Sequence, residues 1–217
     1  MAGGSQNPSH WDQRYLQNDV PWDSGIASRE LFRVLQDEQI APGRAFELGC
    51  GTGTNAVSLA QRGFDVVAAD FSSVAIAGAR RLTERQGCDI RFVAADVCWL
   101  DALREALGAA SEITDRHQFS FLFDRGCYHC VRQERLAEYL ATVNWLAAPG
   151  ARMLILCGNA NEQRDHGPPR VTEVEIRREW DRLFAVEWIR EFRFEDRGGT
   201  PGPLGWSCLL SRRDSSR

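Results

Sequence analysis

There is no lysine in this chain of 217 residues; its 26 basic side chains are all arginine. That absence excludes Schiff-base and pyridoxal-phosphate chemistry and the phosphate-gripping lysine of a P-loop, each of which needs a side-chain amine. No apolar run approaches the eighteen or so residues that a membrane span needs. The opening MAGGSQNPSHWDQRY has neither the basic cap nor the apolar stretch of a secretory signal. Positive charge is not in excess: 30 acids against 26 bases leave a formal charge of −4, and no basic face is apparent. A nucleic-acid partner is therefore not expected, nor a membrane partner. Histidine is scarce, at four, and Cys127-Tyr128-His129-Cys130 is a lone C-x-x-C with no second pair to complete a tetrahedral site. No metal is expected. Seven scattered cysteines read as reduced thiols, which fits a cytoplasmic protein, monomeric or a weak homodimer.

What is present is ordinary globular composition, 43% apolar and 26% charged, at a length that suits one α/β domain over 1–217. From residue 43 onward, short apolar runs alternate with helix-period segments, the pattern of a parallel sheet with crossover helices. The runs are 45–48, 64–70, 90–96, 119–124 and 153–157. A helix carrying Leu136, Tyr139, Leu140, Val143 and Leu146 is stopped by Pro149-Gly150, and 158–170 reads as an irregular loop. Thr172 and Glu175 form a capping box for a helix with Ile176, Trp180 and Leu183 on one face. Segments 186–194 and 204–210 pair antiparallel across the turn-rich 197–202. The expectation is a mostly parallel seven-stranded sheet with helices on both faces and an antiparallel C-terminal strand. Residues 1–40 supply a helical lid, of which 1–8 are small, polar and loosely held, and 41–217 the cofactor-binding core.

Each of the first four strands ends in a carboxylate: Glu47, Asp70, Asp96 and Asp124. Ligands of an open parallel sheet bind beyond its carboxyl edge, so the four acids line one crevice and suit a cation or a polyol. Any one of them alone reads equally well as a helix cap. The loop Gly51-Thr52-Gly53-Thr54-Asn55-Ala56 matches G-x-G-x-x-A with Asp70 19 residues on, which by itself also fits a nicotinamide dinucleotide. The acids separate the two readings, because a pyrophosphate is repelled by carboxylates. S-adenosylmethionine carries no phosphate and offers an ammonium, a sulfonium, two ribose hydroxyls and an adenine amine. Glu47 and Asp124 would sit at its methionine end, Asp70 with Phe71 and Ser72 at the ribose, and Asp96 with Val97 at the adenine. Gly49, Cys50, Gly51, Gly53 and Asn55 form the loop around it.

The run Glu47-Leu48-Gly49-Cys50-Gly51-Thr52-Gly53 resembles the first motif of class I methyltransferases. Three further pieces narrow the resemblance to the thiopurine, thiol and halide methyltransferase family: an early segment with Trp11, Tyr15 and Pro21-Trp22-Asp23, then Phe123-Asp124-Arg125-Gly126, and Gly167-Pro168-Pro169. The similarity spans most of 10–210. It implies a Rossmann-like fold, S-adenosylmethionine as cofactor, Trp11 and Trp22 as its cover, and Arg125 beside cofactor and acceptor.

Methyl transfer from a sulfonium is an in-line displacement in which alignment contributes much of the catalysis, so a strong base is optional. Asp124, Arg125, Tyr128 and His129 are the catalytic candidates. Tyr128 and His129 follow the fourth strand, where either would orient or deprotonate an acceptor, although a helix-start histidine bonded locally explains His129 equally. A small thiol or other soft nucleophile leads as acceptor. A small-molecule N- or O-methyltransferase and a non-catalytic cofactor-binding module are the alternatives.

Overall fold

In the computed structural model, which describes residues 8–108, 118–165, 167–195 and 202–213, the chain begins with helices α1 (Pro8–Leu16) and α2 (Arg29–Asp37). Strand and helix then alternate: β1 (Arg44–Leu48), α3 (Thr54–Ala60), β2 (Asp65–Asp70), α4 (Ser73–Gln86), β3 (Arg91–Ala94), α5 (Leu100–Gly108), β4 (Phe119–Arg125) and α6 (Cys127–Leu146). The rest is β5 (Ala147–Asn159), β6 (Arg170–Val171), α7 (Glu173–Trp180), β7 (Phe184–Arg193) and β8 (Leu204–Arg212). The sheet order is β3-β2-β1-β4-β5-β8-β7, with β6 paired to the end of β5. β1 to β5 run parallel, and β8 is antiparallel to both β5 and β7.

Period two along the strands sends side chains to opposite faces, and both faces are covered, so the central strands are apolar on each side. Met153, Ile155 and Cys157 of β5 meet Tyr139 and Val143 of α6 and Trp180 of α7 in one layer. Leu154 and Leu156 join Leu31 and Val34 of α2, Leu59 of α3 and Ile76 of α4 in the other. Trp180 is fully buried, with ring centroids 5.6 Å from Tyr128, 6.1 Å from Tyr139 and 5.7 Å from Phe184.

Four sequence expectations need correction. Among the described residues the sheet has eight strands, because Arg170 and Val171, at the end of the segment read as a loop, pair with Gly158 and Asn159; two residues directly after a pair of prolines carry no apolar pattern to announce a strand. Helix α6 begins at Cys127, nine residues ahead of the first periodic leucine, and is interrupted at Arg135 (φ −136°, ψ 35°). Pro149-Gly150 lies within β5, in the irregularity where the pairing passes from Phe119↔Ala147 to Phe121↔Arg152. The capping box of α7 is present, but the helix closes at Trp180 and leaves Leu183 in the following turn. The expected loose segment 1–8 falls, but for Pro8, outside the described residues, as does most of the turn at 197–202.

Candidate active site

The glycine loop is shaped by left-handed backbone and close packing. Gly53 (φ +80°) caps α3, and a Cβ there would sit 2.8 Å from the Ala79 methyl. Gly49 (φ +69°) lies against α6, where a Cβ would come within 2.7 Å of Cys127 Cβ. No other residue fits either place without moving a neighbouring element. Asp70 fastens this loop to the next strand end: Oδ2 accepts from Gly51 N and Oδ1 from Ser72 N, each at 2.8 Å. Burial raises its pKa despite these bonds. The Ser72 hydroxyl caps α4 and also donates 2.5 Å to Asp12 on α1.

Glu47 is 1% exposed, its carboxyl is hydrogen-bonded by the Asn55 side chain, and its Oε2 has no partner. Burial pushes its pKa up to about 8, against the opposing effects of Asn55 and Arg125. A buried acid oxygen without a donor is costly unless something supplies one. The ammonium of S-adenosylmethionine is a donor of the right charge, and Asp70 keeps lone pairs beyond its two amide bonds for ribose hydroxyls. Asp96, just past β3, accepts from Cys98 N at 2.8 Å and pairs with Arg135, while Val97 is buried beside it. The residues at these three strand ends fit the cofactor inferred from the sequence. Cys50 contributes only packing and backbone: its thiol is buried and its pKa raised, while its amide donates to Ala69 O at 2.9 Å. Phe71 is half-buried between Asp70 and Ser72.

The fourth acid departs from the series. Asp124 is fully buried and its oxygens accept from Cys127 N (3.0 Å), Tyr128 N (2.9 Å) and the Tyr139 hydroxyl (2.6 Å). Here the capping role holds, so the assignment of Asp124 to the methionine end and to catalysis is corrected. Burial raises its pKa to about 7 even with three donors. Tyr128 is corrected too: its side chain turns into the core and its hydroxyl donates 2.6 Å to Glu179, which Arg132 also grips. His129 is 6% exposed and its Nδ1 accepts from Gly158 N at 2.9 Å, which places its proton on Nε2. Burial lowers its pKa to about 3, with Arg125 adding to the effect. It is a neutral donor, and the expectation that it deprotonates an acceptor is withdrawn.

Arg125 joins what the sequence kept apart. It donates to the Trp22 carbonyl at 3.0 Å and pairs with Glu195 at 3.2 Å, with the two side chains 12% and 9% exposed. Its guanidinium stands 5.2 Å from the Phe194 ring centroid, and its Nε is buried without a partner. Glu195, which no motif flagged, also accepts from Arg29 N at 2.8 Å. The connection between α1 and α2 is therefore held at Trp22 by the cation and at Arg29 by the anion of one pair. Further ties bind this segment to the loop: Thr52 donates 2.6 Å to Asp23, Ser28 N donates 2.9 Å to Asn55, and Tyr15 Oη would stand 3.0 Å from a Cβ on Gly51. Trp22 packs edge-on against Trp11 (5.1 Å) and Tyr15 (6.2 Å). Leu16 does not join them: it is 72% exposed, because α1 ends there with that face outward.

An open groove of about 590 Å³ lies behind the loop, lined by Thr52, Ser58, Arg81 and Arg85 among others; none of the strand-end acids reaches it, so it is separate from the crevice. Among the described residues no group of three or more metal-ligating side chains converges, and no helix is long and apolar enough to cross a membrane.

The family model described as thiopurine S-methyltransferase matches residues 6–197. The chain is 25% identical over 182 residues to 2-heptyl-1-hydroxyquinolin-4(1H)-one methyltransferase of Mycobacteroides abscessus, covering 82% of this chain and 74% of that one. It is 27% identical over 184 residues to hemagglutinin 1 of Eikenella corrodens, covering 81% and 56%. The chain thus spans between a little over half and about three quarters of the length of these two relatives. The Burkholderia thailandensis 1,6-didemethyltoxoflavin-N1-methyltransferase, solved with its namesake ligand and S-adenosylhomocysteine, superposes with a TM-score of 0.71 at 20% identity, over 95% of this chain and 87% of that one. At that identity the likeness is one of fold, the Rossmann-like class I methyltransferase sheet.

Proposed function

The chain belongs to the thiopurine S-methyltransferase family, whose members depend on S-adenosylmethionine, and from that premise we propose that it methylates a small soft nucleophile, a thiol before others. The observation that carries the acceptor reading is the state of the two side chains best placed by sequence to act as bases. His129 spends Nδ1 on Gly158 N, and Tyr128 spends its hydroxyl on Glu179. An amine that must shed a proton, or a phenol, gains little from such neighbours. A thiol needs less, since a fraction is already thiolate near neutral pH and the thiolate is intrinsically nucleophilic. Arg125 adds a cation beside it. When bound, S-adenosylmethionine supplies an electrophilic methyl on a sulfonium. Glu47 takes the ammonium, Asp70 the ribose and Asp96 the adenine, while His129 offers an Nε2–H that orients without accepting a proton.

The test is labelled methyl transfer to a matched set of aryl thiol, iodide, primary amine and phenol. Turnover is expected to favour the thiol and to rise with pH until the thiol is fully ionised. Preference for the amine or phenol overturns the reading.

The aromatic cover is part of the same proposal. Trp22→Ala removes the ring that bridges Trp11 and Tyr15, so the cofactor or acceptor KM is expected to rise several-fold while the melting temperature moves little. A sharp fall in melting temperature with unaltered kinetics would instead make Trp22 a core residue.

A further inference from the structure

Arg135 is where α6 leaves helical geometry (φ −136°, ψ 35°), although Val131 to Ala137 contains neither proline nor glycine. Breaks of this kind usually have such a residue or an inserted side chain behind them. Here the departure coincides with a reach across to the end of β3. Arg135 Nη1 lies 2.5 Å from Asp96 Oδ2, and Nη2 donates to the Cys98 carbonyl at 2.7 Å. Asp96 Oδ1 meanwhile accepts from Cys98 N at 2.8 Å. One carboxylate oxygen is thus held by the loop backbone and the other by a guanidinium that is itself tied to the same loop. The Asp96 side chain remains 15% exposed, so these contacts fix the carboxylate without sealing it.

We propose that Arg135 is a positioning residue, holding the Asp96 carboxylate toward the adenine end of the crevice so that the site selects an amino-purine over an oxo-purine. The inference rests on the cofactor reading above. An ionised carboxylate only accepts hydrogen bonds: it suits the exocyclic amine of adenine and meets the carbonyl of hypoxanthine acceptor to acceptor. That discrimination requires a fixed acid, because one free to rotate swings aside and lets water serve the carbonyl. Arginine suits the task better than a point charge, since its planar fork spans the carboxylate and the Cys98 carbonyl together.

The test is calorimetric binding of S-adenosylhomocysteine and of S-inosylhomocysteine, its 6-oxo analogue, to the full chain. The wild type is expected to prefer the adenine ligand about tenfold or more, the scale of one hydrogen bond to a charged group. Arg135→Met is expected to bring that ratio within about threefold of unity while leaving the inosine affinity nearly unchanged, as the discrimination argument requires. Arg135→Lys, which keeps the charge without the fork, should fall between, and serves alone if the methionine variant does not fold. A ratio that survives in the variants, or equal weakening of both ligands, would mean a structural role only and overturns the proposal. So does a wild type without preference. A wild type that binds neither ligand fails one step earlier, at the cofactor reading itself.

Discussion

Glu47→Gln is expected to weaken S-adenosylhomocysteine binding about 10- to 100-fold at pH 8.5 and to abolish the proton release that accompanies binding near pH 7; the affinity term is that of a charge-assisted hydrogen bond. Without ligand, burial holds the Glu47 carboxyl at a pKa of about 8, so at pH 7 it is mostly protonated. An arriving ammonium favours the ionised form, and the proton leaves. Binding of the wild type should therefore tighten as pH rises toward 8 and level off above it, by up to about tenfold per pH unit. Glutamine has no proton to lose and should show no such slope, so the two proteins converge as pH falls. Calorimetry in buffers of different ionisation enthalpy reads the proton count directly. If wild-type binding is proton-neutral, or if Glu47→Gln binds equally well at pH 8.5, the ammonium is held elsewhere.

Asp124→Ala should cost stability more than any exposed substitution in the crevice. Removing the carboxylate strands two amides of α6 and the Tyr139 hydroxyl in a dry core, at about 1 to 3 kcal/mol for each unsatisfied group and about 3 to 5 kcal/mol together after relaxation. For a chain of this length that is a fall in melting temperature of roughly 10 °C. The loss should depend on pH in a definite direction. The native pKa of Asp124 is raised to about 7 from an ordinary value near 3.8, so the native state keeps a proton that the unfolded chain gives up. Its contribution is complete below pH 4 and is lost as pH rises through 7. The penalty of Asp124→Ala should then be larger at pH 5 than at pH 8. A melting temperature within about 2 °C of wild type at pH 5 would show that water or a neighbour takes over the orphaned donors.

The strand-end places of Glu47, Asp70 and Asp96 were legible because each stands where a periodic apolar run meets a turn, so position along the chain specifies position in space. Asp124 carries the same signature and behaves differently. What decides it is the start of α6 three residues later, and the sequence hid that start, since Cys127 to Arg135 shows no apolar period. The same blindness misplaced Tyr128 and His129. Consecutive helical residues point about 100° apart, so an error in where the helix begins turns one inward and ties the other to Gly158. Glu195 and Arg135 were invisible for another reason: their partners lie 70 and 39 residues away, Arg125 and Asp96 respectively. An isolated charge in a loop or mid-helix does not name its counterion. The one local hint was Arg125 itself, a cation at a strand end among buried groups, which had to find an anion somewhere.

The pair that Arg125 and Glu195 form also sets how the N-terminal segment can come away. Both members belong to the body of the sheet, one at the end of β4 and the other beyond β7, and the segment reaches them through the Trp22 carbonyl, the Arg29 amide and the Ser28 hydroxyl. Pulling the two charges apart would leave each uncompensated in a nearly dry place, at about 3 to 5 kcal/mol. Detaching the segment leaves the pair intact and exchanges these three hydrogen bonds, along with the Thr52–Asp23 and Ser28–Asn55 ties to the glycine loop, for water. The cheaper route lifts the strap off a socket that stays assembled, so that reclosing has only to find two hooks already in place.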